Sequence, residues 1–399
     1  MVLKMSEIEY SLNELHSLLK VGLRNNMLLN ENSPFHNLAK DIYESTVDTG
    51  DPLKNKFYKN MKVNVLKDHI NVATDNKPKK AFEVETEDNI ILIDDGQIVQ
   101  VGSAYNPHKY SLSLMNAHSN SLRFKLYQEY FEPTGRISDL ALMHSIGPVG
   151  INFKKHANSE IIVNYVDKYK DNDVNCVVAV IDVGEYSHVT INEHFENKQG
   201  CKIYKLLYLC RENSKVTINR DHGTQNKTEG LNVIESQIVQ FPGSTLTMNL
   251  KGEGSLYNQD VTFIDSYKDC GTEVTGRFDL HEDSINNVVV NVHHKDIESC
   301  SMTDVRSVID DKAFSSFLGN IVVDNDATDV KAHLVNKNLL LSKQANAISE
   351  PQLDINTKEI ECTHGCTISN IDKDDLYYLN SKGIGNYEAT EILKEAFLK

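Results

Sequence analysis

The sequence has no apolar run long enough to cross a bilayer, and its opening residues, Met1-Val-Leu-Lys-Met-Ser6, contain no apolar h-region. Neither a membrane anchor nor a secretory leader is expected, so the cytoplasm is the expected address. Cysteine is sparse and odd in number: Cys176, Cys201, Cys210, Cys270, Cys300, Cys362 and Cys366. Without a leader this reads as reduced thiols rather than a disulfide framework. No Cys-x-x-Cys pair occurs, which argues against a complete structural zinc site within one chain. Positive charge is in short supply. Lys plus Arg number 41 against 57 Asp plus Glu, a formal net charge of -16. Such a chain repels a phosphate backbone, and no nucleic-acid partner is expected.

Nucleotide and hydrolase motifs are absent too. Gly271-Thr-Glu-Val-Thr-Gly276-Arg277-Phe278 has the glycine spacing of a P-loop. It lacks the Lys that reaches the phosphates and the Ser/Thr that holds magnesium. It also lies among strand patterns with no following helix, so it reads as a β-turn segment. No G-x-S-x-G, H-E-x-x-H or G-x-G-x-x-G fingerprint appears. Composition nonetheless permits a packed core, with 40% hydrophobic and 25% charged residues.

What is present changes period along the chain. Ser6 and Glu9 form a capping-box pattern, and Ile8, Leu12, Leu15 and Leu19 recur on one helical face. Asn76-Lys-Pro-Lys-Lys80 reads as a linker. From about Asp88 short β-branched runs follow one another, including Ile90-Ile-Leu-Ile93, Glu160–Val166, Cys176–Ile181, His188–Ile191, Lys202–Leu209 and Val288–Val292. Helical patterns are nearly missing between Val174 and Leu341. Many strands without intervening helices mean a sandwich, a barrel or a solenoid, and no strict repeat of fixed length selects among them. The C-terminus turns helical again. Ser369 and Asp372 form a capping box, Asp374 and Asp375 fill the first turn, and Gly383 suits a C′ stop. A last helix from about Tyr387 presents Ile392, Leu393, Ala396 and Phe397, a stripe that serves either to cap the β core or to dock a partner.

The sharpest local chemistry is Cys362-Thr-His364-Gly-Cys366. In an extended segment residues i, i+2 and i+4 share a face, so two thiols and an imidazole point the same way. These donors suit iron, zinc or a cluster. An incomplete donor set is what an interface between two chains would use; the plain alternative is a buried thiol, a satisfied His and a turn at Gly365. His293 and His294 are adjacent, so on a strand they face opposite ways, one to the core and one to the surface. Glu193-His194 reads as a solvated pair. A β-helix enzyme acting on polysaccharide would need clustered carboxylates in one groove, and none is visible. A structural zinc protein remains the other alternative.

Four segments in the last hundred residues carry a resemblance. They are Asn336-Lys-Asn-Leu-Leu-Leu-Ser342, Glu350-Pro-Gln-Leu-Asp-Ile355, Cys362-Thr-His-Gly-Cys-Thr367 and Asp375-Leu-Tyr-Tyr-Leu-Asn-Ser-Lys-Gly-Ile384. In order and spacing they resemble the SufB/SufD family signature, approximately T-N-R-N-L-L-L-S, K-P-Q-L-E-I, C-S-H-G-A-T and Q-L-F-Y-L-R-S-R-G-I. The His364-Gly365 pair resembles SufD, since SufB usually has Glu after this His. Ile309–Phe314 and Phe317–Val323 resemble the strands that precede the signature. The likeness is clear from about Asn287 to the end and fainter from about Val174. It departs in having Cys366 where Ala is usual, and in lacking the family's tryptophan-containing N-terminal motif, of which Lys56-Phe-Tyr58 would be the remnant.

The resemblance implies a mainly β chain: a right-handed parallel β-helix core over residues 86–345, a helical N-terminal region over 1–85, and a signature segment with C-terminal helices over 346–399. It implies a non-catalytic scaffold subunit of an iron–sulfur cluster assembly complex, paired with a SufB-like subunit or with itself. The C-terminal helices would bind a SufC-like ATPase, and sulfur would come from a SufE- or SufU-type donor. A nascent iron–sulfur cluster would be held transiently at the subunit interface, with His364 and Cys362 as metal ligands and Cys366 beside them. A reduced flavin is linked to such complexes.

Overall fold

Period-two alternation runs through most of the strands, so each must bury one face. In a computed structural model this is satisfied by winding the chain into a solenoid. The residues described are 90–94, 97–102, 105–114, 130–131, 141–142, 148–166, 174–195, 200–223, 230–254 and 257–399. The expectations for 1–85 lie outside them.

Odd-numbered strands build one ten-stranded sheet, here sheet A. They are β1 (Ile90–Asp94), β5 (Asn158–Tyr165), β7 (His188–Phe195), β9 (Lys215–Asp221), β11 (Thr245–Glu253), β13 (Gly271–Leu280), β15 (Cys300–Ile309), β17 (Val330–Leu340) and β19 (Ile360–Asn370), with β2 (Gln97–Val101) at its edge. Sheet B holds β4 (Val149–Phe153), β6 (Val174–Val183), β8 (Cys201–Cys210), β10 (Leu231–Gln240), β12 (Tyr257–Ser266), β14 (Ile285–His294), β16 (Phe314–Val323) and β18 (Asn346–Ile355), with β3 (Tyr110–Leu114) at its edge. The chain alternates between sheets, and each strand from β6 to β17 pairs in parallel with the strands of the coils before and after it. This is a parallel β-solenoid. At its first coils β2 and β3 pair antiparallel to β1 and β4 and form the sheet edges at that end. At the other end, among the described residues, no strand pairs beyond β18 or β19.

The runs read as strands from the sequence fall in β1, β5, β6, β7, β8 and β14. Gly271–Phe278 is not a turn; it lies in β13, because Val274, Gly276 and Phe278 fill inward positions of the coil. The inward residues form one continuous core, from Ile91 and Tyr110 through Tyr208, Ile218 and Phe278 to Leu334. A repeat is present after all. Val189-Thr-Ile-Asn-Glu-His194 and Val216-Thr-Ile-Asn-Arg-Asp221 are ladder partners, followed by Leu246-Thr-Met-Asn-Leu-Lys251. Unequal turns between the strands hide it. The corners between sheets use a left-handed residue, such as Tyr186, Asn213, Asp269 and Asp329. Gly243 takes this place at φ 73°, where a Cβ would stand 2.5 Å from Asn213 Oδ1.

Two helices follow the last coil: α1 (Lys373–Ser381) and α2 (Asn386–Leu398). The N-cap of α1 is Asp372, whose carboxylate accepts the N–H of Asp374. Ser369 is not part of the cap, because β19 runs on to Asn370. Asp374 and Asp375 occupy the first turn, and Gly383 sits at φ 88° just past the end. Helix α2 lies on sheet A at β15. Lys394 Nζ reaches Asp279 at 3.0 Å, and Arg306 Nη1 donates to the Phe397 carbonyl at 3.0 Å. Leu393 and Phe397 are half-buried, whereas Ile392, Tyr377, Tyr378 and Tyr387 remain exposed.

Candidate functional site

The last coil places Cys362, His364 and Cys366 on one side of β19, as strand parity requires. In β17 the even positions Ala332, Leu334, Asn336 and Asn338 are buried, and Lys331, His333, Val335 and Lys337 face outward. Cys362 stacks over Ala332, His364 over Leu334 and Cys366 over Asn336. The three donors therefore share the inward-facing side of a strand that no further coil covers. Thr363 belongs to the opposite face, where its hydroxyl meets His333 Nδ1 at 2.7 Å.

Burial falls along this row. Cys362 is half-buried against the core, while His364 and Cys366 are exposed. Burial pushes the Cys362 thiol up, only partly offset by a backbone hydrogen bond to Ala332. A cation arriving there must displace a proton. A strand advances about 3.3 Å per residue, so neighbouring donors in the row stand about 7 Å apart at the backbone and the two cysteines about 13 Å. One metal ion cannot take all three. Consistently, no group of three or more His, Cys, Asp or Glu among the described residues could hold a metal ion. The arrangement is a line of separate donors at an open end, each able to supply one ligand to something seated on it.

The other candidates sort differently. His294 is fully buried, clasped by Ser299 Oγ at 2.7 Å and Ser301 Oγ at 2.9 Å, and burial lowers its pKa to about 4. His293 faces outward, with Nε2 2.7 Å from Asp324. The pair divides between core and surface as its spacing demands, and neither His is a free ligand. Cys300 is exposed at the start of β15, whereas Cys201 is buried and its pKa is pushed up to about 12.

Glu193-His194 is not a solvated pair. His194 is half-buried on the outward face, but Glu193 is an inward residue of β7 with no exposed surface. It is held by Arg220 Nε at 2.9 Å and by the Tyr208 hydroxyl. Arg220 also reaches Asp260 through Nη1 at 3.1 Å, and His222 Nε2 stands 3.1 Å from the same carboxylate. These two carboxylates sit inside the solenoid with a guanidinium between them, not in a groove that would take a sugar. Sequence reading missed this cluster. Its signal was the aligned Ile-Asn-Glu193 and Ile-Asn-Arg220, opposite charges at the same inward register.

Comparison with known proteins places this geometry. Residues 144–397 match the family model for the SUF system FeS cluster assembly SufBD core domain. An iron–sulfur cluster assembly SufBD family protein of Synechocystis is 35% identical over 92 residues, covering 23% of this chain and 20% of that one. The iron–sulfur cluster assembly protein SufD of Escherichia coli is 34% identical over 92 residues, covering 23% and 22%. These two matches thus span about a fifth of the relatives' length. The SufD of Bacillus subtilis is 24% identical over 360 residues, covering 82% of this chain and 80% of that one. A parallel solenoid matched over most of its coils defines the class: the chain belongs to the SufBD family of SUF-system iron–sulfur cluster assembly proteins. Within that family it is SufD-like, in the His364-Gly365 pair and in its named relatives.

Proposed function

We propose that this chain is a non-catalytic scaffold subunit on which an iron–sulfur cluster is built as cargo. The observation that carries this reading is the row Cys362, His364 and Cys366 on the uncovered inward side of the last coil. Soft and borderline donors too far apart to close a site by themselves are useful when a second chain supplies the remaining ligands. His364 and Cys362 serve as metal ligands in this reading, with Cys366 an additional thiol. The edges of β18 and β19, unpaired among the described residues, offer backbone donors and acceptors to a SufB-like subunit or to a second copy of this chain. The solenoid winds right-handed, the hand that parallel crossovers favour. Helices α1 and α2, with Tyr377, Tyr378 and Tyr387 exposed, provide the surface for a SufC-like ATPase. A SufE- or SufU-type protein delivers sulfur to the complex, reduced flavin supplies electrons, and the cytoplasm is the site of assembly.

The test is His364→Ala in a reconstituted complex with SufB-like and SufC-like partners. The exposed imidazole contributes little packing, so the variant should melt at the wild-type temperature. Cluster yield, read by anaerobic absorption and iron content, should fall severalfold. Equal yield from both proteins would remove His364 from the site.

A further inference from the structure

Far from the last coil, the first coils of sheet A carry a polar cleft of about 690 Å³, a size that suits a small molecule. Its floor is a grid laid down by the ladder. Asn158, His188 and Lys215 are register partners on β5, β7 and β9, and so are Glu160, Thr190 and Thr217 one outward position along. Neighbours in a row are about 5 Å apart and the two rows about 7 Å. The turn into β3 adds Asn106, Lys109 and Tyr110 to the lining. That turn is fixed by the Asn106 carbonyl, which accepts the N–H groups of Lys109 and Tyr110.

The donor balance of this cleft is one-sided. Every member of the grid except Glu160 can donate a hydrogen bond. Glu160 already gives one oxygen to Asn192 Nδ2 at 2.9 Å. Among the described residues, the Lys109 and Lys215 ammonium groups have no carboxylate partner, unlike Lys155, Lys251, Lys268 and Lys295 on the same molecule. Two cations without a carboxylate partner among the described residues thus line a cleft otherwise rich in hydroxyl and amide donors, in a chain of net charge -16.

We propose that this cleft binds a small molecule through a phosphate-type dianion, with Lys109 and Lys215 supplying charge and Asn158, Thr190 and Thr217 supplying directed donors. A single carboxylate would leave one ammonium unmatched, whereas a tetrahedral dianion offers several oxygens to donors on different strands. A nucleic acid is a poor occupant, because the rest of the surface repels a long polyanion. The site is independent of the cluster-facing row and stands or falls separately from it.

Pyrophosphate titrated into the full chain, followed by calorimetry against a chloride control, tests the proposal. One saturable site per chain is expected. Replacing both Lys109→Ala and Lys215→Ala should weaken it about tenfold or more while leaving the ligand-free melting temperature unchanged, since both side chains are charge contributors at the surface. Glu160→Gln removes the one opposing charge and should tighten binding. Absent or non-saturable binding by the wild type, undiminished affinity in the double variant, or equal or weaker binding by Glu160→Gln would each overturn the assignment.

Discussion

Arg220 is the residue on which the interior turns. Its guanidinium, fully buried, bonds Glu193 on the preceding strand of its own sheet and Asp260 on the opposite sheet, and Nη2 donates to the Tyr208 hydroxyl at 3.1 Å. Burial alone would discharge Arg220 and Asp260; their pairing keeps both ionised. Burial lowers the Arg220 pKa, yet Asp260 and Glu193 outweigh it and hold the group well above its ordinary value. Replacing Arg220→Met leaves two carboxylates facing each other without a cation. The loss should be about 3–5 kcal/mol in urea unfolding, the cost of orphaning a buried charge. Wild-type stability in this variant would show that the carboxylates simply take up protons. At this scale much was legible and some was not. The opposite faces of His293 and His294 follow from strand parity alone. The burial of Glu193 does not, because its cation Arg220 stands two strands further along the chain and is itself tied to Asp260 of β12 on the other sheet.

Among elements, the strands were legible and their grouping was not. Alternation marks β5, β7 and β9, but stretches buried on both faces, such as β8 and the middle of β14, read only as unbroken runs. The C-terminal helices were legible from their apolar spacing, the acidic first turn of α1 and Gly383, although the N-cap of α1 is Asp372 and not Ser369. Their docking was not, since it depends on contacts such as Arg306 to Phe397 across 91 positions of sequence. Only Ala389 of the two helices is fully buried. They are therefore an appendage to the solenoid, not part of its core. Deleting residues 372–399 should leave the cooperative unfolding of the coils within about 1 kcal/mol, because the lost contacts are partly exposed ion pairs and half-buried side chains. The same deletion should abolish capture of a SufC-like ATPase in a pull-down. Retained capture would move the docking surface elsewhere.

For the whole molecule, the internal charges predict how stability depends on pH. Burial raises the Asp260 pKa, but Arg220 and His222 prevail and hold it at about 2, against 3.8 for a free carboxyl. A carboxyl depressed in the folded state stabilises it above the unfolded pKa, and that contribution fades as pH falls through the folded one. Urea unfolding between about pH 4 and pH 2 should therefore lose on the order of 2 kcal/mol through this group, and Asp260→Asn should flatten that part of the profile. An unchanged slope would mean Asp260 is not ionised in the fold. The sequence by itself determined most of the strands, the presence of the two C-terminal helices and the shared side of Cys362, His364 and Cys366, because each depends only on period and local hydrogen bonding; β13 and the inward place of Glu193 escaped it. The tertiary structure alone decided that the strands coil into two parallel sheets, that Glu193, Arg220 and Asp260 meet inside, and that Asn158, His188 and Lys215 line one cleft. Those contacts join residues a full coil or more apart, and turns of unequal length hide that spacing from any fixed repeat.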